Sequence, residues 1–289
     1  MIEWYHILTA VFSVAVIVIM VISYNEANSG VISETVIRTA KVKGTIDVLQ
    51  ISDLHLYRKM SKKRYERIIG NIRKTIDDKL PDLIFLTGDY MDHEDGAPRL
   101  RELLSELKSA HGIYAVLGNH DYMVYNILHI FRIFWKIDHR EIDTSKVIAL
   151  IEGAGVSVMR DVSENLKIGG NELTITGADP WTIKKKMGEL PASSHEGGLK
   201  ILLSHYPDAI MDYASTADII LSGHTHGGQV TFFGIPFVTS SKIKGKRAVG
   251  LSNINGSWLF VSRGCGSSRY LPFRFFARPE INRVLIKEG

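Results

Sequence analysis

Leu221-Ser-Gly-His-Thr-His-Gly-Gly-Gln-Val230 is the stretch around which this chain is organised. The mostly apolar run before it, Ala217 to Leu221, has the length and character of a short buried strand. It ends at Ser222-Gly223, and two imidazoles follow on either side of Thr225. Residues two apart face the same way while a chain is extended. An extended exit from the strand would therefore aim His224 and His226 at one point. Gly223, Gly227 and Gly228 permit a sharp turn and leave room for something bound. Imidazole is the commonest side-chain metal ligand. A lone His-x-His pair is a weak signal, and what stands at the other strand ends decides its weight.

Working outward, four further apolar segments end in the same way. Ile46 to Ile51 runs into Ser52-Asp53-Leu54-His55, and Leu83 to Leu86 into Thr87-Gly88-Asp89. Gly112 to Leu117 runs into Gly118-Asn119-His120-Asp121, and Leu199 to Leu203 into Ser204-His205. Helical patterns separate the first three. Tyr65, Ile68, Ile69, Ile72 and Ile76 form one apolar stripe, closed by Pro81. Leu100, Leu103, Leu104 and Leu107 form another behind Pro98, which suits a first helical turn. Such alternation predicts βαβ units and a largely parallel sheet. Val147 to Ala154 reads as a further helix, Val156 to Met159 and Leu173 to Thr176 as strands, and short β segments dominate after Val230. Lys184 to Gly198 reads as an exposed loop or short helix. Tyr122 to Asp143 reads as a strongly apolar helix with His129, Arg132, Lys136 and Arg140 on one stripe. It is either a core helix or a cap beside the site that touches lipid.

In open α/β sheets ligands bind at the carboxyl ends of strands. The five ends here carry Asp53, His55, Asp89, Asn119, His120, His205, His224 and His226. Five of the 11 histidines fall in these motifs, a concentration that scattered core histidines would not produce. Aspartate, asparagine and histidine without thiolate suit Mn, Fe, Zn or similar divalent ions. The group is too large for one tetrahedral ion, so two divalent ions are expected. Asp89, alone on its strand, is the natural bridge between them.

Composition excludes some classes. The chain has 289 residues, 45% hydrophobic and 23% charged, which is ordinary for a protein with a sizeable core. A net charge of +4 suits an anionic substrate or membrane surface, and it is too small to imply nucleic acid. The single cysteine, Cys265, excludes an internal disulfide and a thiolate zinc cluster. Ile7 to Ser23 is nearly unbroken apolar sequence, flanked by Trp4, Tyr5 and Tyr24 as interfacial aromatics are. Residues 1–24 are therefore expected to be a transmembrane anchor, 25–44 a linker and 45–289 the catalytic domain. A cleaved signal peptide is the rival, but a basic start is missing, and Glu3 is the only charge before the run. Arg38, Lys41 and Lys43 follow the run and no Lys or Arg precedes it, which leans the catalytic domain towards the cytosol.

Asp53-Leu-His55, Gly88-Asp89, Gly118-Asn119-His120-Asp121, His205 and Gly223-His224-Thr-His226 resemble, in order, the motif set of the calcineurin-like metallophosphoesterases. With the N-terminal apolar run, Gly-His-Thr-His-Gly-Gly-Gln is similar to a membrane-associated bacterial branch that includes proteins resembling UDP-2,3-diacylglucosamine pyrophosphatases. The resemblance runs from about Thr45 to the C-terminus. It implies a four-layer α/β/β/α sandwich of two mixed sheets with helices outside. It also implies that Asp53, His55, Asp89 and His226 hold one ion and that Asp89, Asn119, His205 and His224 hold the other. The long apolar segment after the Asn-His-Asp motif departs from the pattern and bears on substrate choice.

Such a site suits hydrolysis of a phosphoester substrate. His120 is the candidate group for the leaving oxygen, as general acid or as a cation that stabilises the transition state, and Asp121 is expected to orient its ring. Arg263 is a candidate phosphate contact, with Arg269 and Arg274 as further options. The leading reading is a membrane-tethered phosphodiesterase or pyrophosphatase acting on a lipid- or nucleotide-linked phosphate. A phosphomonoesterase or protein phosphatase would use the same centre. A silent metal-binding scaffold is the reading from another class, and it normally lacks a ligand or the histidine, all of which are present here.

Overall fold

Leu83 and Phe85 face one core while Ile84 and Leu86 face another. That is the period-two alternation of a strand covered on both faces. The same division runs through the whole molecule and builds its layers. The computed structural model describes residues 4–124, 140–141, 143–185, 190–191, 197–232, 235–236, 239–270 and 272–289.

Two six-stranded mixed sheets lie face to face. The first follows the order β1 (Val31–Thr39), β16 (Glu280–Glu288), β2 (Thr45–Ile51), β3 (Leu83–Thr87), β4 (Ile113–Val116) and β7 (Ser157–Val158). The second follows β14 (Gly250–Ile254), β15 (Ser257–Val261), β11 (Ile219–Ser222), β10 (Leu199–Ser204), β9 (Asn171–Ala178) and β8 (Val162–Ile168). The inner strands β2, β3 and β4, and β9, β10 and β11, run parallel within their sheets. The hairpin ribbons β5 (Met123–Val124) with β6 (Arg140–Glu141), and β12 (Thr231–Phe232) with β13 (Ile235–Pro236), stand apart.

One core lies between the sheets, where Val48, Phe85 and Val116 meet Ile175, Ile201 and Leu221. A second lies outside the first sheet under α2 (Lys62–Asp78), α3 (Ala97–Ser105) and α4 (Ser145–Glu152). Helix α2 buries Tyr65, Ile68, Ile69, Ile72 and Ile76, the stripe its spacing predicts, and Ser61 caps its first turn. The third core lies outside the second sheet under α5 (Pro180–Lys185) and α6 (Ile210–Tyr213). Helix, sheet, sheet and helix make the α/β/β/α sandwich. Beneath the shared carboxyl end of the inner strands, Gln50 Nε2 donates to Thr87 Oγ1 at 3.0 Å and to the Ser222 carbonyl at 3.0 Å, joining the two sheets.

Helix α1 (Trp4–Ala27) has 24 residues, about 36 Å at 1.5 Å per residue and enough to cross a bilayer. Only Ser23 and Ala27 of it are buried. The stretch 25–44, expected to be a linker, is different. Nine of its residues form β1, paired in parallel along all of β16 from Val31–Glu280 to Thr39–Glu288. Its apolar residues come as the adjacent pairs Val31-Ile32 and Val36-Ile37 rather than in alternation, so it lacks the period-two signal of a half-buried strand. At the edge of the other sheet β8 is mostly polar and carries little apolar signal. Of the expected helix from Tyr122 to Asp143, residues 125–139 lie outside the described residues, as does most of the expected loop after Lys184.

Candidate metal centre

Beyond β2 and β3 the chains stay paired, which fixes the first loops of the site. The His55 amide donates to the Asp89 carbonyl at 3.0 Å, Leu56 to Tyr90 at 2.9 Å, and Asp92 back to Leu56 at 3.1 Å. From the other sheet, the Gly223 amide reaches the His205 carbonyl at 3.2 Å. The loops press together where only glycine fits. A Cβ on Gly118 would lie 2.1 Å from Asp89 Oδ1, and one on Gly223 2.0 Å from Ser52 Oγ.

Asp53, His55, Asp89, His224 and His226 all have left-handed backbone, with φ between 47° and 71°. Such conformations are rare outside glycine and gather at functional sites, where the surroundings hold them. The exit from β11 is therefore not extended, as His-x-His spacing alone would suggest. His224 and His226 turn apart and serve neighbouring clusters.

In one cluster Asp53, His55, Asp89 and His226 bring ligand atoms within 4.8 Å of one another, and in a second Asp89, His205 and His224 do so. Asp89 belongs to both. In the first, His55 Nε2 lies 3.0 Å from His226 Nε2 and 3.7 Å from Asp89 Oδ2, and His226 Nε2 lies 3.6 Å from Asp53 Oδ1. In the second, His205 Nε2 lies 3.2 Å from Asp89 Oδ2, from Asn119 Oδ1 and from His224 Nδ1. The residues that the resemblance assigns to each ion therefore lie near one another in two adjoining groups.

These groups fit a cation. Ligand atoms about 2.1 Å from one ion sit about 3.0–3.4 Å apart, close to the spacing here. Nitrogens approaching nitrogens need a proton or a cation between them. Three rings are also turned by oxygens behind them: Nδ1 of His55 meets Asp92 Oδ1 at 2.7 Å, Nδ1 of His205 the Thr87 carbonyl at 2.7 Å, and Nε2 of His224 Ser240 Oγ at 2.9 Å. Such partners leave the inward nitrogen as the ligand. His226 differs, because its outer nitrogen faces the Arg274 guanidinium at 2.9 Å.

Charge is distributed accordingly. Burial opposes the His55 imidazolium, but Asp92, Asp89 and Asp53 push its pKa up to about 9. His205 reaches about 9 against the same burial, through Asp89 above all. Burial holds His224 and His226 well below the ordinary histidine range, with His205 and Arg274 respectively adding to it. A cation held by these rings would compete with their protons, so loading would release protons.

His120 sits at the rim of this centre, its amide donating to Asp89 Oδ1 at 2.8 Å. Its Nδ1 lies 2.9 Å from Asp92 Oδ1. Asp121 does not meet the ring, as the sequence suggested it would. Its carboxylate accepts from the backbone amides of Gly118 at 2.8 Å and of Asp89 and Tyr90 at 2.9 Å, clasping the two ligand loops together. Asp92 takes the orienting position for both His55 and His120, and it also accepts from the Arg269 amide at 2.6 Å. Sequence reading passed over Asp92, although a second carboxylate three residues after Asp89 was the available signal. A cavity of about 330 Å³ opens beside His120, lined in part by Met91, Asp92, Met123 and Lys146.

The arginines are committed elsewhere. Arg263 is ion-paired with buried Glu280 and borders a cavity at the end of α1. Arg274 is fully buried and donates to the carbonyls of His226 at 2.7 Å and Gly266 at 2.6 Å. Arg269 lies over the Tyr270 ring, 4.5 Å from its centre.

Fold and site together define a two-sheet hydrolase with a cluster of Asp and His ligands at the strand ends. Residues 46–228 match the calcineurin-like phosphoesterase family, and the chain belongs to it. It is a phosphoric ester hydrolase. An uncharacterized metallophosphoesterase of Aquifex aeolicus is 30% identical over 267 residues, 87% of this chain and 89% of that one. The Bacillus subtilis metallophosphoesterase YkuE is 30% identical over 250 residues, 83% and 78% of the two chains. The UDP-2,3-diacylglucosamine pyrophosphatase LpxG of Chlamydia muridarum is 24% identical over 278 residues, 81% of each chain.

Proposed function

We propose that the chain is a membrane-tethered phosphodiesterase or pyrophosphatase that uses two divalent ions, manganese among the candidates. Asp53, His55, Asp89 and His226 would hold one ion, and Asp89, Asn119, His205 and His224 would hold the other. The observation that carries the reading is the pair of clusters sharing Asp89, with His120 at their rim. A pair of divalent ions supplies Lewis acidity to a phosphoryl group and to attacking water. The chain supplies position and a proton. Asp121 locks the Asp89 and Asn119 loops in register. Asp92 holds Nδ1 of His120, so this ring gives a proton from Nε2 to the leaving oxygen. The cavity beside His120 receives the leaving group, and Met91 and Met123 give it an apolar side.

Two observations favour a lipid- or nucleotide-linked substrate. Helix α1 has the length and composition of a single-pass anchor. The Chlamydia relative is named for a nucleotide-linked, acylated substrate. We place residues 1–24 in the membrane, and the catalytic domain takes in β1 together with residues 45–289. Arg38, Lys41 and Lys43 follow α1 and no Lys or Arg lies in residues 1–6, which favours the cytosolic side for that domain.

The test uses the whole chain in detergent, because β1 belongs to the sheet and cannot be removed with the anchor. The protein is stripped with chelator, then given Mn, Zn, Fe(II) or Mg separately. Hydrolysis of a generic phosphodiester and a generic phosphomonoester is compared, with Asp89→Ala alongside. Metal-dependent diester cleavage that vanishes in Asp89→Ala is the expected result. Preference for the monoester would replace this reading with a phosphatase, and two bound ions without turnover of either would favour a scaffold.

A further inference from the structure

Helix α1 does not hang from the catalytic domain on a tether. Its last turns pack against residues that stand behind the site. Ser23 and Ala27 are buried, and the Ser23 carbonyl accepts from the Arg274 amide at 3.1 Å. The Arg274 side chain then grips His226, so a single arginine separates the helix backbone from a candidate ligand. Glu26 Oε2 accepts from the Phe276 amide at 2.7 Å, and Arg64 Nε donates to Asn28 Oδ1 at 3.2 Å. Three residues after the helix, β1 begins. The apolar helix and the metal centre thus have a fixed relation.

What surrounds that junction is apolar and basic. Phe276 is held in left-handed backbone with φ 54° and is 61% exposed. Strain that presents a phenyl ring to solvent serves no core. Its neighbour Phe275 pairs with Val230, four residues after His226 on the same loop, and Val230 is 46% exposed. The adjoining ribbon of β12 and β13 carries Ile235, 44% exposed. Beside β13 runs Lys242-Ile-Lys-Gly-Lys-Arg247, whose Lys242, Lys244, Lys246 and Arg247 are all exposed. The Ala248 carbonyl that follows is bound by Thr225 of the ligand loop at 2.7 Å. Arg263 and Arg278 border the cavity of about 600 Å³ between Phe276 and the end of α1.

We propose that this face is a second membrane contact, with Phe276, Val230 and Ile235 seated in the headgroup layer and the 242–247 tract against anionic lipid phosphates. It rests on α1 being a membrane helix and adds that the metal centre is pressed against the bilayer surface. Apolar side chains at an interface and a basic stretch beside them are the two complementary parts of anionic-membrane recognition. A soluble partner would leave the continuity with α1 unexplained. Phosphates of surface lipids, or of a lipid-linked substrate, would then reach the centre without leaving the interface.

The test places the full chain in nanodiscs of phosphatidylcholine, with and without phosphatidylglycerol. An environment-sensitive fluorophore is attached to Phe276→Cys or to Leu80→Cys, and shallow spin-labelled lipids serve as quencher. The unsubstituted chain controls for labelling of buried Cys265. Leu80 is also exposed but lies beyond the far end of 17-residue α2, about 25 Å from the Arg64 end. The expected result is a blue shift and several-fold stronger quenching at 276 than at 80. Glutamate at positions 242, 244, 246 and 247 should weaken the quenching only when phosphatidylglycerol is present. A chain that stays with the discs while position 276 reports water, like position 80, overturns the proposal and leaves the anchor standing. A chain that leaves the discs overturns both. Quenching indifferent to phosphatidylglycerol and to charge reversal overturns the part assigned to the basic tract.

Discussion

The two ends of the sandwich both bury aspartates, and they do so in opposite ways. Near the start of β2, Asp47 meets Arg283 at 2.8 Å through both carboxylate oxygens and Lys79 at 2.7 Å. Its charge is answered within the protein. Past the end of the same strand, Asp53 is fully buried against imidazoles, the Ser52 hydroxyl and the His224 amide. Asp89, after β3, is answered by His205, His55 and the His120 amide. Five of the candidate ligands here have left-handed backbone, each costing about 1–3 kcal/mol of stability. One end is complete as it stands. The other gathers aspartates and histidines that could hold metal ions. That contrast separates structural from functional charge more sharply than burial alone.

The comparison is tested first where the largest effect is expected. His120→Ala removes a group that is not one of the assigned ligands. Turnover should fall about 10²–10⁴-fold, the range for loss of a positioned acid, while bound metal per chain, measured by elemental analysis, stays unchanged. Full activity with full metal would remove His120 from the chemistry. Loss of metal along with activity would move it into the ligand set.

A second substitution sharpens the assignment at the same end. Asp92→Asn keeps the shape of the carboxylate that touches both His55 and His120. Metal affinity or kcat should drop about 10–100-fold, as when a ligand's outer partner is lost, with KM for a small diester little changed. Asp92→Glu should recover part of the loss. Asp121→Asn should instead lower thermal stability, because its carboxylate binds three backbone amides and no ring. If Asp121→Asn mimics His120→Ala while Asp92→Asn is mild, the orienting role returns to Asp121.

Much of the site was legible because its chemistry lies in residue types at strand ends. Asp53, His55, Asp89, Asn119, His205, His224 and His226 each announce a possible ligand, and buried apolar strands announce where they sit. Asp92 was missed because its role depends on the pairing of Leu56 with Met91, which brings two loops together and cannot be read from either one. Asp121 was misassigned because adjacency in sequence to His120 stood in for direction in space. Helix α2 and the central strands were legible through period. Strands β1 and β8 were not: the apolar residues of β1 come in adjacent pairs without alternation, and β8 is mostly polar. The union of α1 with the ligand loops rests on the Ser23–Arg274 contact, about 250 residues apart along the chain, and no local pattern encodes it.

The smallest effect belongs to the complete end. Asp47→Asn leaves Arg283 without its carboxylate. Its side chain is only 14% exposed, so unfolding free energy should fall by about 3 kcal/mol, at the low side for breaking a buried pair because Lys79 remains solvated. Turnover per folded molecule should not change. The pH dependence has a definite sign. Burial opposes ionisation of Asp47, yet Arg283 and Lys79 hold its pKa below the ordinary value. A carboxyl lowered on folding stabilises fully above its unfolded pKa, about 4. That contribution is lost as pH falls through the lower folded value. The gap between wild type and Asp47→Asn in urea melts should therefore be constant from neutral pH to about pH 5 and close only below about pH 4. A gap that closes already near neutrality would mean that the pair draws its strength from another titrating group. A substitution that also lowers turnover would show that the two ends of the sandwich are not independent.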